Sequence, residues 1–239
     1  MCTIAPRLPD SQRLLRAIGA LLILFVLLSA ATALAHDMSE ANKTYVQSIN
    51  GPAPVPFFYL GAKHMVTGID HLLFLLGVIF YLYRLRDIVI YVSLFTLGHS
   101  TTLILGVLLG TRLNSSLVDA IIGFSIVYKA FENMGGFRRL GLSINTKLAV
   151  LVFGLFHGMG LATRLQDLGA GKNGLLVNLI SFNVGVEAGQ VIALAIVVVL
   201  LNLWRASPSF ARGAFGANVL LLGAGVALMI YHLAGYFAS

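Results

Sequence analysis

The stretch GIDHLLFLLG, Gly68–Gly77, sets Asp70 and His71 side by side at the head of an apolar run. An ionised carboxylate at the centre of a bilayer costs roughly 3 kcal/mol even on lenient insertion scales. The run is otherwise what a bilayer requires. It extends over 60–82, close to the ~20 apolar residues that cross the hydrocarbon core. Five more runs follow at 88–110, 117–133, 148–166, 175–203 and 214–236, of which 117–133 and 148–166 are short or broken by polar residues. The composition agrees with this reading. Hydrophobic residues make up 58% of the 239 and charged residues 10%, against about 25% charged in soluble domains. The expected fold is an all-α, polytopic inner-membrane helical bundle of about six transmembrane helices. No segment has the alternating pattern of a membrane β-barrel.

The N-terminus reads as a secretory signal peptide. Arg7, Arg13 and Arg16 precede the apolar stretch Ala17–Leu28, and Ala33-Leu34-Ala35 forms an A-x-A cleavage signature before His36. The expected organisation is a signal at 1–35, a polar and proline-rich segment at 36–59, and a six-helix transmembrane domain at 60–239. Pro52, Pro54 and Pro56 suit an extended connector. The net charge of +7 calls for no nucleic acid. With the mature N-terminus in the periplasm, Arg84, Arg86, Lys129, Arg138, Arg139, Lys147, Arg205 and Arg212 fall on the cytoplasmic side. Lys43, Lys63, Arg112, Arg164 and Lys172 fall outside. This bias of eight to five has the sign of the positive-inside rule. Cys2 is the single cysteine, so a mature chain has neither disulfide nor thiolate ligand.

Polar residues recur inside the runs. In KHMVTGIDHLLF, His64 and His71 are seven apart and share a face of one continuous helix, with Gly68 between them and Asp70 about 100° away. FTLGHSTTL places His99, Ser100, Thr101 and Thr102 in the second run, and LFHGMGLA places His157 among glycines in the fourth. SFNVGVEAGQ carries Asn183, Glu187 and Gln190 at i, i+4 and i+7 in the fifth, and Asp119 lies near the outer end of the third. Taken singly, each has an ordinary explanation. Serines and threonines in spans bond back to their own helix, and spaced glycines mean close helix packing. His232 reads as interfacial, and Glu132 and Asn133 as a helix end.

Taken together they outweigh that account. Three spans carry a histidine and a fourth a glutamate, and burying so many ionisable groups without a shared partner exceeds a bundle's marginal stability. A divalent cation serves them all. Imidazole and carboxylate suit Ni²⁺, Co²⁺, Zn²⁺ and Fe²⁺. The expected ligands are His71, His99, His157 and Glu187, with Asp70 at the mouth. Ser100, Asp119, Asn183 and Gln190 serve as orienting or path residues.

HMVTGIDHLLFLL, FTLGHSTTL, FHGMGLA and FNVGVEAGQ, in this order behind a signal peptide, resemble the HupE/UreJ family, small bacterial membrane proteins regarded as nickel or cobalt permeases. The resemblance spans roughly 60–235, and the later motifs look most like the family's second branch. The family's signature of His, Pro, Gly-x-Asp-His and a later Met is met at His64, Gly68, Asp70 and His71. It is replaced at Met65 and Leu75. The resemblance implies metal recognition by His64, Asp70 and His71, and metalloenzyme maturation proteins as partners besides the lipid bilayer and the metal ion. The leading expectation is secondary uptake of Ni²⁺ or Co²⁺. No Walker motif provides for ATP hydrolysis, and no HExxH helix is present. Two alternatives use the same residues: an intramembrane zinc hydrolase with Glu187 as general base, and an assembly or sensor protein with a structural metal.

Overall fold

The computed structural model describes residues 49, 51–167 and 173–238. The chain divides into Met1–Asp37 and Met38–Ser239, and the described residues belong to the second unit. The signal peptide at 1–35 lies outside them, as does all of the 36–59 segment up to residue 48 and residue 50.

Among the described residues every regular element is a helix: α1 Pro54–Thr67, α2 Ile69–Ile79, α3 Leu85–Leu109, α4 Ser115–Asn133, α5 Gly136–Arg139, α6 Thr146–Asp167, α7 Leu175–Arg205 and α8 Ser209–Ala238. Four of these, α3, α6, α7 and α8, are long and apolar enough to cross a membrane. A fifth crossing is available if α1 and α2, bent by 62° at their junction, count as one broken span. The third expected span is α4. It is helical, but its 19 residues include Asp119, Lys129 and Glu132, which lower its apolarity. It nonetheless runs the depth of the bundle alongside α8. Asp119 meets His232 near one end, and Asn133 bonds Asn218 near the other.

Two local expectations are corrected. Pro54 and Pro56 are not an extended connector; they lie in the first turn of α1. The first four N–H groups of a helix have no intrahelical acceptor, so proline is tolerated there. The span at 60–82 is also not one helix. It breaks at Gly68, whose backbone is extended (φ −73°, ψ 92°) while its N–H still closes the last turn onto the His64 carbonyl.

Three helix pairs build most of the bundle: α3 with α6, α1 with α7, and α4 with α8. Each is drawn close by glycine. A Cβ on Gly158 would overlap the His99 carbonyl oxygen, and one on Gly185 would overlap the Phe58 carbonyl oxygen. Such approach lets backbones pack where lipid offers no hydrophobic drive. The short α2 sits among the pairs, and its ends are held by side chains. Arg205, at the end of α7, donates to the Ile79 and Phe80 carbonyls (2.6 and 2.7 Å), and Asn133 donates to Gly77 O (2.9 Å). These bonds satisfy carbonyls that a helix C-terminus leaves open. At the start of α1, Asn178 accepts from Ala53 N–H (2.6 Å) and donates to Gly51 O (3.1 Å). The core runs through α2 and the inward faces of the pairs, with Phe74, Leu75, Ile79, Phe95, Met65 and Leu103 almost wholly buried.

Candidate metal site

The break at Gly68 creates the site. It makes Ile69 the start of a new helix, so Asp70 falls in a first turn, where unpaired N–H groups and the helix dipole favour a carboxylate. Asp70 Oδ1 accepts from its neighbour's backbone N–H (3.0 Å) and lies 2.9 Å from His71 Nδ1. The 100° that separates Asp70 from its neighbour on a helix does not part their side chains: the pair is one unit. An ionised carboxylate only accepts, so His71 Nδ1 carries a proton, and in the neutral ring Nε2 keeps its lone pair.

The His71 ring is the hub. Its centroid lies 5.1 Å from that of His64, 4.9 Å from His157 and 5.9 Å from His99, all edge-on. The four imidazoles come from four helices, α1, α2, α3 and α6. His64 and His71 meet across the break and not two turns along one helix. His157 Nδ1 lies 2.7 Å from the Phe153 carbonyl oxygen one turn earlier. A carbonyl cannot donate, so this nitrogen too is protonated and Nε2 is free. His71, His99 and His157 are each no more than 3% exposed. The ring nitrogens His64 Nε2, His71 Nε2, His157 Nε2 and both of His99 are buried without a hydrogen-bond partner. Leaving a buried polar atom unmet costs about 1–3 kcal/mol, so this concentration in one place is a feature to be explained. Phe95 and Phe74 pack on the cluster, with ring centroids 5.0 and 5.4 Å from His157. Phe182 faces His64 at 6.3 Å.

The donors fit a borderline dication. Neutral imidazole is the commonest ligand of this metal class, and a carboxylate or carbonyl on the far nitrogen orients such a ligand and fixes its tautomer. Among the described residues, however, no group of three or more His, Cys, Asp or Glu side chains already stands in a metal-holding arrangement. The rings converge but would have to turn to share one ion.

The other candidates are distributed differently. Asn183 and Gln190 are buried on α7. Asn183 donates to its own helix at Leu179 O (3.0 Å), leaving its buried Oδ1 unpaired, and Gln190 donates to Thr96 Oγ1 (2.9 Å). Ser100 is half-buried next to His99. Asp119 belongs to a separate group, ion-paired with Arg164 and 3.8 Å from His232 Nδ1. His232 is itself buried. Glu187 is exposed on α7 and is not brought into the cluster. Thr101 and Thr102 bond back to Leu97 O and Gly98 O as anticipated, and Thr102 also reaches Leu155 O across the α3–α6 seam (2.6 Å).

Sequence reasoning missed the aromatic sleeve, because phenylalanines in a membrane span carry no distinguishing pattern. It also missed the ion pair of Lys129 with Glu132 at the far end of α4, 2.7 Å. Their i, i+3 spacing was the available signal.

No curated protein and no solved structure matches the chain. A protein-family model described as "HupE / UreJ protein" matches residues 40–239, which is most of the sequence. The chain belongs to the HupE/UreJ family of membrane proteins, whose metal-transport association accords with the donor set just described.

Proposed function

We propose that the protein is a secondary transporter that takes up a divalent transition-metal ion, Ni²⁺ or Co²⁺, across the bacterial inner membrane. The observation that carries this reading is the convergence of four buried imidazoles, with unpaired nitrogens, on His71 and its Asp70 partner. Asp70 supplies the negative charge and orients His71, and His64, His99 and His157 replace water around the ion as it enters the buried cluster. A site whose ligands must turn to bind suits passage, since a carrier has to strip water and then let go.

We take entry to be from the Asp119 end, the end that the charge bias favours for the periplasmic side. There Asp119, Arg164 and His232 form a polar approach to the middle of the bundle. Ser100, Asn183 and Gln190 line the α3 and α7 sides of the passage. The hydrolase alternative needs Glu187 as a base at the metal, and its exposed position outside the cluster gives that role no support.

The test is uptake of labelled Ni²⁺ and Co²⁺ by cells expressing wild type, His71→Ala or Asp70→Asn at matched membrane levels. Wild-type uptake that both substitutions reduce supports the reading. Equal uptake in all three, or none above empty-vector cells, overturns it.

A further inference from the structure

Deeper along the bundle is a second polar group that the histidine cluster does not use. Lys129 and Glu132 lie at the end of α4 opposite Asp119. Their side chains are only 8% and 20% exposed, and Lys129 Nζ is 2.7 Å from Glu132 Oε2. The other carboxylate oxygen, Oε1, accepts from the Thr146 hydroxyl at the start of α6. The Tyr128 hydroxyl, one residue from Lys129, is buried without a partner. Tyr128 lies one turn before Glu132 on the same helix.

This group stands in line with the cluster. The Lys129 stem packs against α2 at Gly77, where an added Cβ would come 3.1 Å from Lys129 Cγ. Gly77 is six residues past His71 on the same short helix, ~9 Å further along at 1.5 Å per residue. Between the two groups lies an aromatic partition. Ring centroids step from His157 to Phe74 (5.4 Å), Phe74 to Phe153 (5.7 Å) and Phe153 to Tyr128 (5.1 Å). A nitrogen-rich group in the middle of the bundle is thus followed, beyond three phenyl and phenol rings, by an oxygen-rich one.

We infer that Glu132, with the hydroxyls of Thr146 and Tyr128, is a second station for a divalent cation, and that the Lys129 ammonium holds the place of that cation until it arrives. The inference rests on the transport reading for its direction, but it concerns a distinct set of residues. A buried carboxylate needs a counter-charge at all times. A lysine provides one on a flexible stem that withdraws when a dication, with twice the charge, takes over the oxygens. Oxygen donors hold Ni²⁺ and Co²⁺ less tightly than imidazole does. An ion that has passed the partition is therefore poised for release at the end of the bundle that bears Arg84, Arg138 and Arg139. A purely structural ion pair would do none of this, and the two accounts differ in sign. Removing the lysine should improve cation binding if the ammonium competes, and should damage the site if it only braces the fold.

The experiment uses the full chain in mild detergent with Co²⁺ alone as probe, titrated calorimetrically. In a His71→Ala/His157→Ala background, which disables the central cluster, Lys129→Met is expected to tighten Co²⁺ binding at least tenfold. Adding Glu132→Gln should abolish the gain, and Lys129→Arg should leave affinity at the parent level. Unchanged or weaker binding in a folded Lys129→Met protein overturns the inference. If Lys129→Met does not fold, stoichiometry in the otherwise native chain decides. Two Co²⁺ per wild-type chain falling to one in Glu132→Gln supports the second station, and equal stoichiometry overturns it. Proteoliposome flux separates the two readings. Absence of Co²⁺ flux in wild type defeats transport, whereas the unmasked Glu132 site would still stand as a cation site.

Discussion

The middle of the bundle and its two ends solve the same problem in opposite ways. At the ends, buried charge arrives with its own counter-charge: Asp119 with Arg164, Glu132 with Lys129. In the middle, four imidazoles crowd together with one carboxylate between them, and five ring nitrogens have no partner inside the protein. An ion pair answers burial within the fold. Unpaired lone pairs in an aromatic sleeve leave it unanswered, and a mobile cation completes them. The contrast locates the demand for an external ion at His71 and assigns the end groups to admission and release.

The hub tests the contrast most severely. His71→Ala removes the ring that all the others face and is expected to lower metal uptake about 100-fold, ~2.8 kcal/mol of lost stabilisation at 1.4 kcal/mol per decade. Labelled Ni²⁺ or Co²⁺ uptake at matched expression checks it. Retention of more than half the wild-type rate would show that the unpaired nitrogens are incidental. Gly158→Val attacks the same region through the backbone. The new side chain must displace the His99 carbonyl, and overpacking of this kind costs typically 1–3 kcal/mol. The expected result is a lower melting temperature in detergent with His99 and His157 pushed apart, hence weaker Co²⁺ binding as well. Loss of stability with intact binding would mean that the α3–α6 seam does not set the site.

Asp70→Asn should cost less than losing the hub. The amide oxygen can still accept from His71 Nδ1, but the negative charge is gone. Changes in groups that orient a metal ligand typically cost 10–100-fold, and uptake is expected to fall about tenfold with the melting temperature little altered. At the ends the effect is smaller still. Arg164→Ala leaves Asp119 with His232 at 3.8 Å, and Arg164 is 37% exposed, so solvent takes up part of its role. We expect about 1 kcal/mol of destabilisation and at most a fewfold change in uptake. A loss matching that of His71→Ala would erase the distinction between middle and ends.

How much of this was legible in the sequence depends on what each signal measures. Hydropathy located the helices because burial in lipid selects for apolar runs. The histidines stood out because ionisable residues are costly there. The break at Gly68 was not visible, since a hydropathy window does not register one extended residue inside an apolar run. That break changed the geometry most, bringing His64 to His71 across two helices and placing Asp70 in a first turn beside His71. The arginine at 205 read only as a topological charge, yet it bonds two carbonyls at the end of α2. Sequence spacing gives which end of a bundle a residue occupies, not which backbone it finds there.

Glu187 gives the finest test of where the central site stops. Asn183, Glu187 and Gln190 read as one stripe, but at 100° per residue Glu187 lies 40° from Asn183 on one side and Gln190 lies 20° from it on the other. A stripe 60° wide can straddle the edge of a buried face, and this one does: Asn183 and Gln190 are buried while Glu187 is exposed beside Val184 and Val191. Glu187→Gln is therefore expected to leave uptake within about twofold of wild type, because the substitution removes a charge that no imidazole shares. Paired with Gln190→Leu, which breaks the bond to Thr96 and is expected to cost about 1 kcal/mol of stability, it maps the boundary from both sides. A tenfold loss in Glu187→Gln would carry the passage out to the α7 surface, and a middle whose one carboxylate is Asp70 would then be the wrong picture of where the ion meets carboxylate.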